Sequence, residues 1–121
     1  MRKRTTGIGR TLLLVSTAVA CSETEMGGGD ALVAQGKTIY QNVCIACHDA
    51  NPTRDGSLGP ALAGSSRELL EARVIRGVYP AGYTPKRPSQ TMPKFEYLAD
   101  GIDALAAYLA TFEGVGEKAG S

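Results

Sequence analysis

An all-α domain of three to four helices is expected from three features of the chain. Stretches 31–47, 65–76 and 98–112 carry apolar residues at helical spacing. The segments between them are rich in proline, glycine and asparagine, and no strand pattern is visible in them. The first helical stretch ends on Cys44-Ile45-Ala46-Cys47-His48, which offers three chemically distinctive side chains to a small core. The domain so delimited, 31–113, is one short unit without internal repeats. Chains of that size bury little surface and often need a metal or another staple.

The C-x-x-C-H run supplies the staple. On a helix, Cys44, Cys47 and His48 stand at i, i+3 and i+4, so their side chains leave from one face. That pattern is the attachment signature of a c-type haem. Two thiols form thioethers with the vinyl groups along one haem edge, and the imidazole of His48 turns to the iron as proximal ligand. A redox dithiol and half of a zinc site are the competing readings. The first belongs in a βαβ pattern. The second needs a fourth ligand, whereas His48 is the only histidine and the third cysteine, Cys21, lies near the N-terminus. One haem c, covalent through Cys44 and Cys47, is therefore the expected cofactor and the centre of the core.

In chain order, Met1-Arg2-Lys3-Arg4 is a basic region and TLLLVSTAVA at 11–20 is an apolar one. Together they fit a secretory signal peptide over 1–20; the apolar run is too short for a bilayer, which takes about 20 such residues. Ala18-Val19-Ala20 supplies small residues for cleavage, with Cys21 directly after. Either ordinary signal-peptidase cleavage follows, or Cys21 is acylated at a lipobox resembling those of bacterial lipoproteins. Cysteine arithmetic favours acylation, because haem takes two thiols and leaves Cys21 odd in an exported chain. Residues 21–30 are polar, glycine-rich and aperiodic, as in a flexible tether. The expected location is the periplasm or cell surface, with a lipid anchor to a membrane. Loss of 1–20 takes Arg2, Lys3, Arg4 and Arg10 from the 13 basic residues and none of the 12 acidic ones, leaving a net charge of −3. Strong nucleic-acid binding is not indicated.

The first helix, 31–47, has Asp30 as its expected N-cap and Leu32, Gly36, Ile39, Tyr40 and Val43 at helical spacing. Gly36 costs about 1 kcal/mol relative to alanine there and often marks close approach of another helix. Residues 49–64, with Asn51-Pro52, Asp55-Gly56 and Gly59-Pro60, read as a loop. Ser65 and Glu68 have capping-box spacing for a second helix, and Gly77 is a natural stop. A proline-bearing loop over 78–94 follows, of a length that is usually functional or disordered. Its use is to bring a sixth ligand to the iron. Lysine, the N-terminal amine, water and methionine are the options. Met1 leaves with the signal and Met26 lies in the tether, so Met92, stiffened by Pro93, is favoured. The third helix spans 98–112, and 114–121 is a polar tail.

Cys44, Cys47 and His48, followed by Gly59-Pro60 and then Met92-Pro93, resemble the class I c-type cytochromes over residues 31–112. The resemblance implies a small cytochrome c fold packed around one covalent haem. It implies that Pro60 offers its carbonyl to the His48 ring and that Met92 is the second axial ligand. It also implies that Gly36 and Tyr40 of the first helix cross the last helix at Leu105 and Tyr108. The implied function is outer-sphere electron transfer between redox protein complexes, with a moderately positive potential, because axial methionine favours Fe(II). A sensor or peroxidase-like protein with a labile methionine, and a dedicated haem subunit of one oxidoreductase, are the alternatives. Arg67, Arg73, Arg76, Lys86, Arg87 and Lys94 read either as a simply solvated surface or as a basic rim that would steer an acidic partner.

Overall fold

Helix α1 begins earlier than its sequence suggests. In the computed structural model, which describes residues 27–88 and 91–114, it runs over Gly28–Val43. Gly27 is the N-cap and makes no side-chain bond; Asp30 lies in the first turn, where its charge favours the helix N-terminus. The tether expected over 21–30 therefore gives way to helix at Gly28. Residues 1–20, Cys21 and most of the polar tail lie outside the described residues. The helix tightens into a 3₁₀ turn over Cys44–Ala46, so the C-x-x-C-H run continues the helix in a narrower winding.

Residues 47–66 are irregular but fully tied. The Asp49 carboxylate accepts from the Asn51 amide at 2.8 Å, the Asn51 side chain from the Thr53 amide at 3.0 Å, and the Asp55 carboxylate from the Ala61 amide at 2.8 Å. Such local bonds are why Asp and Asn populate turns. Helix α2, Arg67–Leu70, is capped by Ser66, whose hydroxyl accepts from the Leu69 amide at 3.2 Å; the cap is thus one residue later than the Ser65 expected. It widens into a π segment, Glu71–Arg76, and stops at Gly77, whose φ of 71° suits glycine. A second 3₁₀ turn, Glu96–Gly101, leads into α3, Ile102–Ala110, where one continuous helix was expected.

Helices α1 and α3 cross where Gly36 is buried. A Cβ on Gly36 would overlap the Ala104 carbonyl oxygen and stand 2.8 Å from Tyr108 Cβ, so only glycine admits this approach. Tyr40 is fully buried and tilts against Tyr108 with centroids 5.6 Å apart; Leu105 joins them in the core. The core continues through Leu70, Val74, Ile102 and Leu109. The described residues hold helices and no strands, an all-α fold of three α-helices. No helix among them is long and apolar enough to cross a membrane.

Candidate haem site

One cavity of about 420 Å³ opens between the turn after α1 and the loop before α3. Cys44, Cys47, His48, Pro60 and Met92 all line it, so residues separated by up to 48 positions in the chain meet at one site. Cys21 lies outside the described residues. The remaining wall is mainly apolar, with Leu62, Leu70, Val74, Phe95 and Leu105.

His48 is held from three directions. Its amide donates to the Cys44 carbonyl at 2.9 Å, an α-type bond directly after the 3₁₀ turn. Its Nδ1 lies 2.8 Å from the Pro60 carbonyl. A carbonyl only accepts, so Nδ1 carries the hydrogen and Nε2 is left with its lone pair. Proline suits this position, since it has no amide hydrogen to spend and its φ is fixed. Gly59 presses against the ring face. A Cβ there would stand 2.5 Å from Nδ1, which makes the Gly59-Pro60 pair a seat for the imidazole. The Gly59 amide donates in turn to the Cys47 carbonyl at 2.9 Å, bolting the seat to the motif. Burial and the nearby Arg87 guanidinium push the His48 pKa below its ordinary value, against the opposing pull of the Pro60 bond. His48 is only 8% exposed, and a neutral imidazole is the form that binds a metal.

The two thiols are half-buried and unpaired with each other. Burial pushes the Cys44 thiol up to about 11, so it is protonated near neutral pH. Tyr40 fixes α1 against the following turn, its hydroxyl donating to the Asp49 carbonyl at 2.6 Å. This tie was not foreseen from the sequence.

Met92 is half-buried and packs against the core. The loop that carries it is fastened at both sides of the cavity. Lys86 Nζ donates to the Ala61 carbonyl at 2.9 Å and an Arg87 nitrogen to the Gly56 carbonyl at 3.0 Å, stitching it to the loop around Pro60. The Phe95 amide donates to the Val74 carbonyl at 2.7 Å, anchoring it to the π segment. The basic rim expected from the sequence is smaller than six residues. Arg73 is buried, Arg67 pairs with Asp103 and Glu71, and Lys94 pairs with Glu96. Arg87 lies 3.8 Å from the Asp55 carboxylate, so Arg76 and Lys86 remain.

The donor set fits a c-type haem. Two thiols stand three residues apart beside an imidazole with a free Nε2, and a thioether lies on the same cavity wall. Among the described residues no group of three or more His, Cys, Asp and Glu side chains gathers to hold a metal ion, which sets zinc aside there.

Comparison with known proteins agrees. The family model described as cytochrome C oxidase, cbb3-type, subunit III matches residues 31–109. A protein of Synechocystis sp. named cytochrome c-553-like is 35% identical over 83 residues, covering 69% of this chain and 70% of its own. Cytochrome bc1 complex cytochrome c subunits of Corynebacterium efficiens and Mycobacterium leprae are 32% and 30% identical over 80 and 79 residues, or 66% and 65% of this chain. The chain spans only 26% and 27% of the length of those two relatives.

Proposed function

The chain belongs to the cytochrome c family, and from that premise we propose a class I electron carrier with covalent haem c on Cys44 and Cys47 and with His48 and Met92 as its iron ligands. The observation that carries the ligand set is the bond between His48 Nδ1 and Pro60 O at 2.8 Å within a cavity that Met92 also lines. When bound, the haem supplies an iron that cycles between Fe(II) and Fe(III). The protein's part is to orient and exclude. Pro60 and Gly59 hold the ring so that Nε2 faces the cavity, which fixes the tautomer and raises ligand basicity. Leu62, Leu70, Val74, Phe95 and Leu105 keep water away and disfavour the more highly charged oxidised state. Lys86, Arg87 and the Phe95–Val74 bond hold the methionine loop against the cavity, where Met92 would supply the second iron ligand and leave no position for substrate.

A peroxidase-like or sensing role needs a proton-transfer group beside an open site. Among the described residues, the cavity wall carries no carboxylate and no imidazole besides His48, which favours the carrier. The partners are redox protein complexes, the class to which the two bc1-complex subunits belong by name. The basic region, apolar stretch and Cys21 at the start of the chain support export and a lipid anchor. The mass of the mature N-terminus tests that anchor: an acylated Cys21 supports it and a bare one overturns it.

Absorption spectra of the reduced protein with and without carbon monoxide test the ligation. The wild-type protein is expected to stay six-coordinate and bind the gas slowly, whereas Met92→Ala binds it readily. Equal, rapid binding by both would remove Met92 from the iron.

A further inference from the structure

Almost everything that holds His48 is main chain. Its amide donates to the Cys44 carbonyl at 2.9 Å, and the Cys47 carbonyl accepts from the Leu58 and Gly59 amides at 3.2 and 2.9 Å. Gly56 backs the same stretch: a Cβ there would stand 2.6 Å from both the His48 carbonyl carbon and the Asp49 nitrogen. The ring rests on Gly59 and on the Pro60 carbonyl.

One side-chain hydroxyl joins this set. Tyr40 donates to the Asp49 carbonyl at 2.6 Å, on the residue directly after the imidazole. Among the described residues that carbonyl accepts from no amide. The Asp49 carboxylate is engaged elsewhere, with the Asn51 amide and the Arg54 guanidinium. Tyr40 itself has no room to swing away. It is fully buried, its ring tilts against Tyr108 with centroids 5.6 Å apart, and the notch at Gly36, one turn earlier, brings α3 up behind it. Burial raises the phenol above its ordinary pKa, so it keeps the hydrogen that it donates.

Packing explains the ring of Tyr40 but not its hydroxyl. A phenylalanine would fill the crossing with the same shape and leave the Asp49 carbonyl without this donor. Building on the haem c reading, we infer that Tyr40 is a positioning residue for His48: its hydroxyl pins the Asp49 peptide and so ties the iron-binding imidazole to the packed crossing of α1 and α3. Electron transfer gains from such a tie. A ligand held alike in both oxidation states needs little rearrangement when the electron moves, and the groups behind a ligand decide how firmly it is held.

Solvent exchange of the His48 Nδ1 hydrogen, followed by NMR in the reduced holoprotein, tests the inference on wild type, Tyr40→Phe and Tyr108→Phe. Each variant loses one phenol oxygen from the same ring pair, and only that of Tyr40 bonds to the turn after His48. The Leu109 amide, fully buried in α3, reports opening of the whole fold. Tyr40→Phe is expected to speed Nδ1 exchange about fivefold more than Leu109 exchange, the weight of one net hydrogen bond, and Tyr108→Phe to move the two together. Nδ1 exchange that rises in Tyr40→Phe only in step with Leu109 would overturn the inference and leave the hydroxyl a contributor to stability alone. Haem absorbance of the denatured wild type shows separately whether the cofactor is bonded to the chain, which tells this outcome apart from failure of the haem reading. Should Tyr40→Phe yield no holoprotein, the wild type in rising denaturant decides. The Tyr40 hydroxyl and His48 Nδ1 hydrogens are expected to lose protection together; an Nδ1 hydrogen that stays protected after the hydroxyl has lost its own would refute the tie.

Discussion

A methyl group on Gly59 would collide with the ring that the site is built to orient. The Cβ of Gly59→Ala would meet the His48 ring first at Cε1 and then at Nδ1, the atom that donates to Pro60. Neither neighbour has room to yield, since the Gly59 amide is itself bonded to Cys47. Overpacking of this kind costs about 1–3 kcal/mol, enough to break a hydrogen bond worth about 1 kcal/mol. Gly59→Ala is therefore expected to lower the yield of holoprotein and to shift its spectrum, while Gly29→Ala, where nothing lies within 4 Å, leaves both unchanged. Absorbance per mole of protein measures it. The sequence shows this unevenly. Spacing alone groups Cys44, Cys47 and His48, because three side chains one helical turn apart share a face. The Pro60 carbonyl is a backbone group, invisible to any reading of side chains, and entered only through family resemblance. Arg73 reads as a surface charge because its neighbours in the chain do not reveal the cavity.

The helix pair α1 and α3 depends on a missing side chain. In an isolated helix, replacing glycine by alanine gains about 1 kcal/mol. At Gly36 the new Cβ would overlap the Ala104 carbonyl, a backbone atom that moves only if the helices part. Separation would also pull Tyr40 from Tyr108 and strain the Tyr40–Asp49 bond next to the motif. The steric term wins. Gly36→Ala is expected to destabilise the holoprotein by about 1–3 kcal/mol, read as a lower denaturant midpoint, with the visible spectrum of the folded fraction unchanged. A more stable variant would mean that the crossing is loose. Helix existence was legible from periodicity, and Gly77 as a stop from its identity. Boundaries were less so: α1 starts at Gly28 and α2 is capped by Ser66. Glycines at the start give no apolar signal, and Ser65 and Ser66 are indistinguishable by type. The π widening at Glu71 has no marker in the chain.

At the level of the whole molecule, the cavity decides what holds the fold together. A space of about 420 Å³ walled mainly by apolar side chains leaves the core incomplete until the cofactor fills it. The cofactor is therefore part of the core as well as the redox centre, and the lysine and arginine stitches across its two loops matter only once it fills the space. The path of the loop over 78–88 was the least legible part of the chain, because its ties run to backbone carbonyls of a distant loop. Everything above requires that the haem be bonded to the chain. Intact-mass measurement on denatured, solvent-extracted protein from a host able to attach c-type haem tests this. The mass is expected to exceed that of the polypeptide by one haem, carried on the peptide that contains Cys44 and Cys47; a bare polypeptide mass with the pigment in the solvent would contradict it.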